Sequence, residues 1–348
     1  MLKHFKRYKN TERQHTHKLI TFVQSFAIVA VCNMASSVWA DVTLLNVSYD
    51  VSRELFKDIN PVFTADWKKK NNETITINQS HGGSSKQARA VADGLEASVV
   101  TMNQANDIDM LADKGLIAND WAKRFPNNAA PFYSTMVYLV RKGNPKHIRD
   151  WDDLAKPGTQ VIIPNPKTAG NGRYTYLAAW GYVLKKGGTE AQARSLVEQI
   201  FKNVPVLDSG GRGATTTFSQ RNIGDVLVTF ENEVQLVRKE TGDQFDVVYP
   251  SISILAESPV AVVDKVVDKL AIRKQATAYL DFLYTEAAQD IIARHYFRPR
   301  SLIAAKKHEA LFKPITLFTV NELFGNWKQA QKKHFDDGGE FDKIYRQK

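Results

Sequence analysis

Three times along this chain a short apolar run ends in a glycine-rich turn that opens onto helix-forming residues, and this recurrence restricts the fold more than any other feature. The turns are Gln79-Ser80-His81-Gly82-Gly83-Ser84-Ser85-Lys86, Asn165-Pro166-Lys167-Thr168-Ala169-Gly170-Asn171-Gly172-Arg173 and Asp208-Ser209-Gly210-Gly211-Arg212-Gly213-Ala214-Thr215. A strand, a tight turn and a helix make the repeating unit of α/β proteins. The first turn of a helix carries N–H donors without intrahelical partners, and its dipole favours negative charge. Glycine lets the backbone come close to a ligand. Each turn alone reads as an ordinary strand-to-helix loop, and three in one chain point to an oxyanion site. None has the P-loop ending Gly-Lys-Ser/Thr or the dinucleotide spacing Gly-x-Gly-x-x-Gly.

The rest of the chain follows the same alternation. Strands are expected at Val42–Val47, at Ile75 and Ile77, and at Val99–Thr101. Further ones are expected at Met136–Arg141, Gln160–Ile163, Val204–Leu207, Asp225–Phe230, Phe245–Tyr249 and Val260–Val263. Helical spacing appears in 53–67, where Pro61 should kink or split the helix, in 86–95, at Tyr174–Leu184 and at Glu190–Phe201. Ala276, Leu280, Leu283, Ala287 and Ile291 mark one amphipathic helix. A chain of 348 residues with this pattern suits two α/β lobes, with ligand at the carboxyl ends of strands.

Residues 1–40 read as a secretory signal. Lys3, Lys6, Arg7, Lys9, Arg13 and Lys18 precede an apolar run from Leu19 to Val31, and Val38 and Ala40 fit a cleavage site before Asp41. The run is too short to span ~30 Å of hydrocarbon. Cys32, the single cysteine, lies in this segment behind Val31, which does not suit lipidation, so disulfides are not expected in the mature chain. The net charge is +10, and residues 1–40 hold six Lys/Arg against Glu12, so half of that excess is in the leader. What remains is spread along the chain, unlike the clustered charge of a nucleic-acid binder.

Enzyme motifs are missing: there is no His-Glu-x-x-His, no cysteine pair and no Gly-x-Ser-x-Gly. His81 stands beside the first turn, and Asp50 and Asp208 at strand ends, where a base could sit. Such residues more often cap turns or pair with arginine. No catalytic residue, metal site or cofactor is assigned. Arg173 and Arg212 either neutralise an anion directly or stand one layer behind it.

At these turns the chain resembles the sulfate- and thiosulfate-binding proteins of bacterial ABC importers. The matching stretches include Leu44-Leu45-Asn46-Val47-Ser48-Tyr49-Asp50, Gln79 to Lys86, and Leu139-Val140-Arg141-Lys142-Gly143-Asn144-Pro145. Others are Tyr176-Leu177-Ala178-Ala179-Trp180-Gly181, Leu207 to Gly213, Ile254-Leu255-Ala256-Glu257 and Phe324-Gly325-Asn326-Trp327. The resemblance extends over essentially all of residues 41–348. The resemblance implies a two-lobed periplasmic binding protein fold of type II with the ligand in the interlobe cleft. Residues 41–135 and 255–348 would form lobe 1 and residues 136–254 lobe 2. It also implies a monomeric, non-enzymatic receptor that hands its anion to a membrane-embedded ABC permease. The backbone positions matching the family's anion donors are Ser84 in one lobe and Gly170, Asn171 and Gly211 in the other. An all-donor site suits a fully ionised sulfate and rejects a protonated phosphate, whose O–H would be left unpaired.

Two positions depart from the sulfate-binding pattern. Ala169 stands where sulfate binders have a serine hydroxyl, with Thr168 beside it to compensate. Phe230 replaces a tryptophan whose indole N–H donates to the anion. Both changes favour the thiosulfate-binding branch. The alternatives are a receptor for molybdate or phosphate, and a secreted hydrolase using His81 with Asp50 or Asp208.

Overall fold

The structure, a computed structural model, describes residues 42–345. The signal segment, its cleavage site and Cys32 lie outside the described residues. No helix among the described residues is long and apolar enough to cross a membrane.

The first sheet is built from β1 (Val42–Tyr49), β2 (Ile75–Gly82) and β3 (Val99–Thr101), all parallel, with β1 in the middle. The chain leaves it through β4 (Phe132–Ser134) and enters the second sheet at β5 (Met136–Arg141). β6 (Val161–Pro164), β7 (Leu207–Asp208), β8 (Val226–Phe230) and β9 (Phe245–Val248) complete that sheet in the order β7-β6-β8-β5-β9. β6, β7 and β8 are parallel, and β5 runs antiparallel to β8 and β9. The chain returns through β10 (Ile252–Ile254) and β11 (Ala256–Glu257), and β12 (Val260–Val262) joins the edge of the first sheet beside β3. β11 pairs antiparallel with β4, so the outgoing and returning segments lie side by side. β13 (Arg298–Pro299) pairs with the other edge of β4, and β14 (Thr316–Phe318) pairs with β10.

Both sheets are covered on both faces, which is why their central strands read as continuous apolar runs rather than as alternation. In β5, Val137 and Leu139 pack with Phe218, Val234 and Phe245, while Tyr138 and Val140 belong to the main core. The helix Gly170–Lys185 is buried on every side from Gly170 to Tyr182. It lies against the second sheet, the helix Glu190–Lys202 and the C-terminal segment, where Tyr176 meets Phe335 and Phe341 and Phe201 meets Phe341. A helix apolar all round needs such all-round cover.

Three local expectations change. Arg53–Asn71 is one uninterrupted helix despite Pro61. Pro61 is exposed, and Leu55, Phe56, Ile59, Phe63 and Trp67 are all buried along one face, which outweighs one missing hydrogen bond. The expected amphipathic helix through Ala276 and Ile291 is two helices, Arg273–Phe282 and Glu286–Arg294, because the Thr285 hydroxyl accepts from Ala288 N–H and starts a new one. The strand expected at Val204–Leu207 is confined to Leu207–Asp208.

Candidate ligand-binding site

The parallel strands of each sheet end on one edge. β1 leads to Asp50, β2 to the helix Ser84–Ala92, and β3 to Asn103. In the second sheet β6 leads to the helix Gly170–Lys185, β7 to the helix Gly211–Ser219, and β8 ends at Phe230. The two sets of strand ends meet. A Cβ built on Gly83 would lie 3.1 Å from the Thr168 carbonyl oxygen and 3.4 Å from that of Ser209. One built on Gly170 falls onto the Asn103 carboxamide, and one on Gly211 comes within 3.1 Å of Asn171 Nδ2 and 3.3 Å of Val51 Cγ1. Ser84, Gly170, Asn171 and Gly211 are thus all on turns brought to one place.

None of the three helices has a capping side chain: the residues before them are Gly83, Ala169 and Gly210. The first helical i to i−4 bonds are made by the N–H groups of Gln87, Arg173 and Ala214. The N–H groups ahead of these point out of the helix ends. One is taken: Arg212 N–H donates to Asp50 Oδ2 across 3.3 Å. Burial pushes the Asp50 carboxyl up from its ordinary value, opposed by that N–H and by the Arg212 charge.

Neither arginine is directed at the cradle by its hydrogen bonds. Arg212 Nη2 donates to Glu54 at 2.8 Å, and its Nε is 3.4 Å from Glu233. Glu233 is fully buried, and burial pushes it up to about 7, against the pull of Arg212 and the Thr215 hydroxyl. Arg173 Nε donates to the Pro166 carbonyl at 2.8 Å, and its Nη1 is 3.9 Å from Asp107. Asp107, on the first-sheet side, accepts from Ser84 Oγ at 2.5 Å and Ser85 Oγ at 2.8 Å. One buried carboxylate therefore holds the Ser84 turn and faces the helix that carries Gly170. Neither Asp107 nor Glu233 stands out in the sequence. Asp107 falls in no glycine-rich turn, and only the closing of the chain brings it to Ser84 and Arg173.

The remaining candidates are placed as follows. Ala169 and Phe230 are buried, and Phe230 stands edge-on to Tyr174 at 5.9 Å. The Thr168 hydroxyl bonds the carbonyls of Ser209 at 3.0 Å and Asn165 at 3.3 Å, so its proton is directed to the main chain rather than substituting at Ala169. His81 Nδ1 bonds Ser48 Oγ at 2.7 Å, and burial lowers its pKa to about 4. It pairs with a serine, whereas Asp50 is bound to Arg212 N–H and Asp208 to the Thr217 hydroxyl. Among the described residues, no group of three or more His, Cys, Asp or Glu is placed to hold a metal ion.

Two α/β sheets with facing strand ends, joined by paired crossing strands, define a solute-binding protein. Residues 45–298 match the family of bacterial extracellular solute-binding proteins, and the chain belongs to it. Within that class it is 59% identical over 304 residues to the thiosulfate-binding protein of Pseudomonas aeruginosa, covering 87% of this chain and 92% of that one. It is 53% identical to the sulfate-binding protein of Escherichia coli, covering 89% of this chain and 95% of the other. Among solved structures, the sulfate-binding protein SubI from Mycobacterium tuberculosis aligns with a TM-score of 0.77 at 32% identity, over 85% of this chain and 100% of its own. A periplasmic thiamin-binding protein shares the fold, with a TM-score of 0.63 at 17% identity over 87% of this chain and 96% of its own.

Proposed function

We propose that this chain is the periplasmic receptor of an ABC importer, capturing thiosulfate or sulfate and delivering it to a membrane-embedded permease. The meeting of three helix starts without capping side chains carries this reading. Their free N–H groups form an all-donor cradle, which suits a dianion that has no proton to give. The names of its relatives agree with it. Ser84 donates from one lobe and Gly170, Asn171 and Gly211 from the other, so the anion bridges the cleft and favours the closed state. The receptor acts as a monomer and transforms nothing.

We assign residues 41–135 and 255–316 to lobe 1 and residues 136–254, together with the segment after Thr316, to lobe 2, in place of the expected 255–348 in lobe 1. Its Phe335 and Phe341 pack on Tyr176, which supports that choice. Residues 1–40 act as the export signal.

A thermal-shift and calorimetric titration of the mature chain with thiosulfate, sulfate, molybdate and phosphate tests the reading, since a ligand of the folded state raises its stability. Thiosulfate should bind at least as tightly as sulfate, because Ala169 and Phe230 offer no side-chain donor. Each hydrogen bond to a charged group is worth ~1.5–3 kcal/mol. Binding of phosphate or molybdate alone would overturn the assignment, and sulfate bound a hundredfold more tightly than thiosulfate would overturn the preference.

A further inference from the structure

We propose that the side-chain amide of Asn171, and not only its backbone N–H, donates to the bound anion, with Thr229 as the positioning residue that orients it. This rests on the oxyanion reading above and adds a determinant of specificity to it. Asn171 is 2% exposed and sits in the first turn of the Gly170 helix, beside Gly211. Its Nδ2 is 2.8 Å from Thr229 Oγ1, and its Oδ1 is buried with no hydrogen-bond partner. A second carboxamide oxygen, Asn103 Oδ1, is buried and unpartnered against Gly170 on the other side of the turn. Unpaired carbonyl oxygens beside a dianion would repel it, and a buried polar atom without a partner is unfavourable in itself.

One rotation removes the conflict at Asn171. The oxygen and nitrogen of a carboxamide are interchangeable in shape, and their assignment follows from the hydrogen-bond network. Thr229 is fully buried; its Oγ1 accepts from Asn171 Nδ2, and its hydroxyl proton has no acceptor among the described residues. Turned by half a revolution, the amide accepts the Thr229 hydroxyl proton at Oδ1, over the 2.8 Å now spanned by Nδ2. Nδ2 then takes the place of the orphaned oxygen and carries two N–H donors that no acceptor within the protein claims, in the first turn of the Gly170 helix. This restores side-chain donation in a cradle where Ala169 and Phe230 provide none.

The experiment is calorimetry on the mature protein with sodium thiosulfate and sodium sulfate, for wild type, Asn171→Gly, Asn171→Asp, Thr229→Val and Thr229→Ser. Asn171→Gly keeps the backbone N–H and should lose about tenfold or more in affinity, and Asn171→Asp about a hundredfold or more. Thr229→Val should lose about tenfold, and Thr229→Ser, which keeps the hydroxyl, should restore near-wild-type binding. Wild type that binds neither anion overturns the oxyanion reading itself. Wild type that binds while Asn171→Gly stays within about threefold overturns this inference alone. Loss in Thr229→Ser equal to that in Thr229→Val overturns the positioning role. Should a variant fail to fold, the side-chain amide resonances of Asn171 in 15N-labelled wild type decide. They should shift when thiosulfate is added, and unmoved resonances would count against donation.

Discussion

Helix starts with and without a capping side chain both occur in this chain, and uncapped ones also lie outside the three turns, before Arg53–Asn71, Ala105–Asp113 and Arg273–Phe282. On the periphery, Asp150, Thr189, Thr285, Ser301, Thr319 and Asn326 each cap the helix they precede with a side-chain oxygen. Thr189 and Thr319 form full capping boxes with Gln192 and Glu322. At the cradle the preceding residues are Gly83, Ala169 and Gly210, which have no side-chain oxygen to offer. The physical need is the same in both regions, since N–H groups at a helix start require an acceptor. The capped starts meet it within the chain and gain stability. In the proposed cradle it is left to a ligand, with Asp107, Arg173 and Glu233 buried around it.

The difference can be attacked from either side. The largest effect is expected from Gly211→Leu, which drives a side chain into Asn171 and Val51 and should leave no measurable anion binding by calorimetry. Its circular dichroism and cooperative unfolding should be retained, and preserved affinity would refute the assigned cradle. Next comes Asp107→Ala, which strands Arg173 and frees the Ser84 and Ser85 hydroxyls. Leaving a buried charge without its partner typically destabilises by ~3–5 kcal/mol. Urea unfolding should show a loss of that order, and a change under about 1 kcal/mol, the size of an exposed pair, would mean the 3.9 Å contact is incidental.

Glu233 should make stability depend on pH. Its value in the fold, about 7, lies above the ordinary 4.5, so the folded chain holds this proton more tightly than the unfolded one. Its contribution is complete below about 4.5 and is lost as pH rises through about 7. Glu233→Gln keeps an acceptor for Thr215 and should flatten this slope between about pH 5 and pH 8 in urea titrations; an unchanged slope would place the proton elsewhere. The smallest effect is expected at the periphery. Thr189→Ala should lower stability by ~1 kcal/mol and leave thiosulfate affinity unaltered. A drop in affinity there would blur the distinction between the two kinds of helix start.

Much of the site is legible in the sequence. The three turns, their place after strands and the candidates Ser84, Gly170, Asn171 and Gly211 stand out through glycine spacing and the family resemblance, because a close backbone approach demands residues without bulk. Less legible are features that depend on side chains meeting from distant parts of the chain. Thr168 looks free to replace the missing serine, yet Ser209 claims its hydroxyl. For Arg173 and Arg212 the sequence leaves open whether they meet an anion or stand one layer behind it, and in the fold Asp107, Glu54 and Glu233 face them. Pro61 looks like a break, yet the buried stripe from Leu55 to Trp67 carries the helix through it.

By itself the sequence determined the alternation of strands and helices, the anion-friendly helix starts and the departures at Ala169 and Phe230, since these rest on local periodicity and on which atoms a residue possesses. The tertiary structure decided which donors remain free, because hydrogen bonding is competitive. Whether a hydroxyl, an amide or a guanidinium is available to a ligand depends on every acceptor that folding brings within about 3 Å. That competition sends Thr168, Arg173 and Arg212 to partners within the protein and leaves Oδ1 of the buried Asn171 carboxamide unpaired.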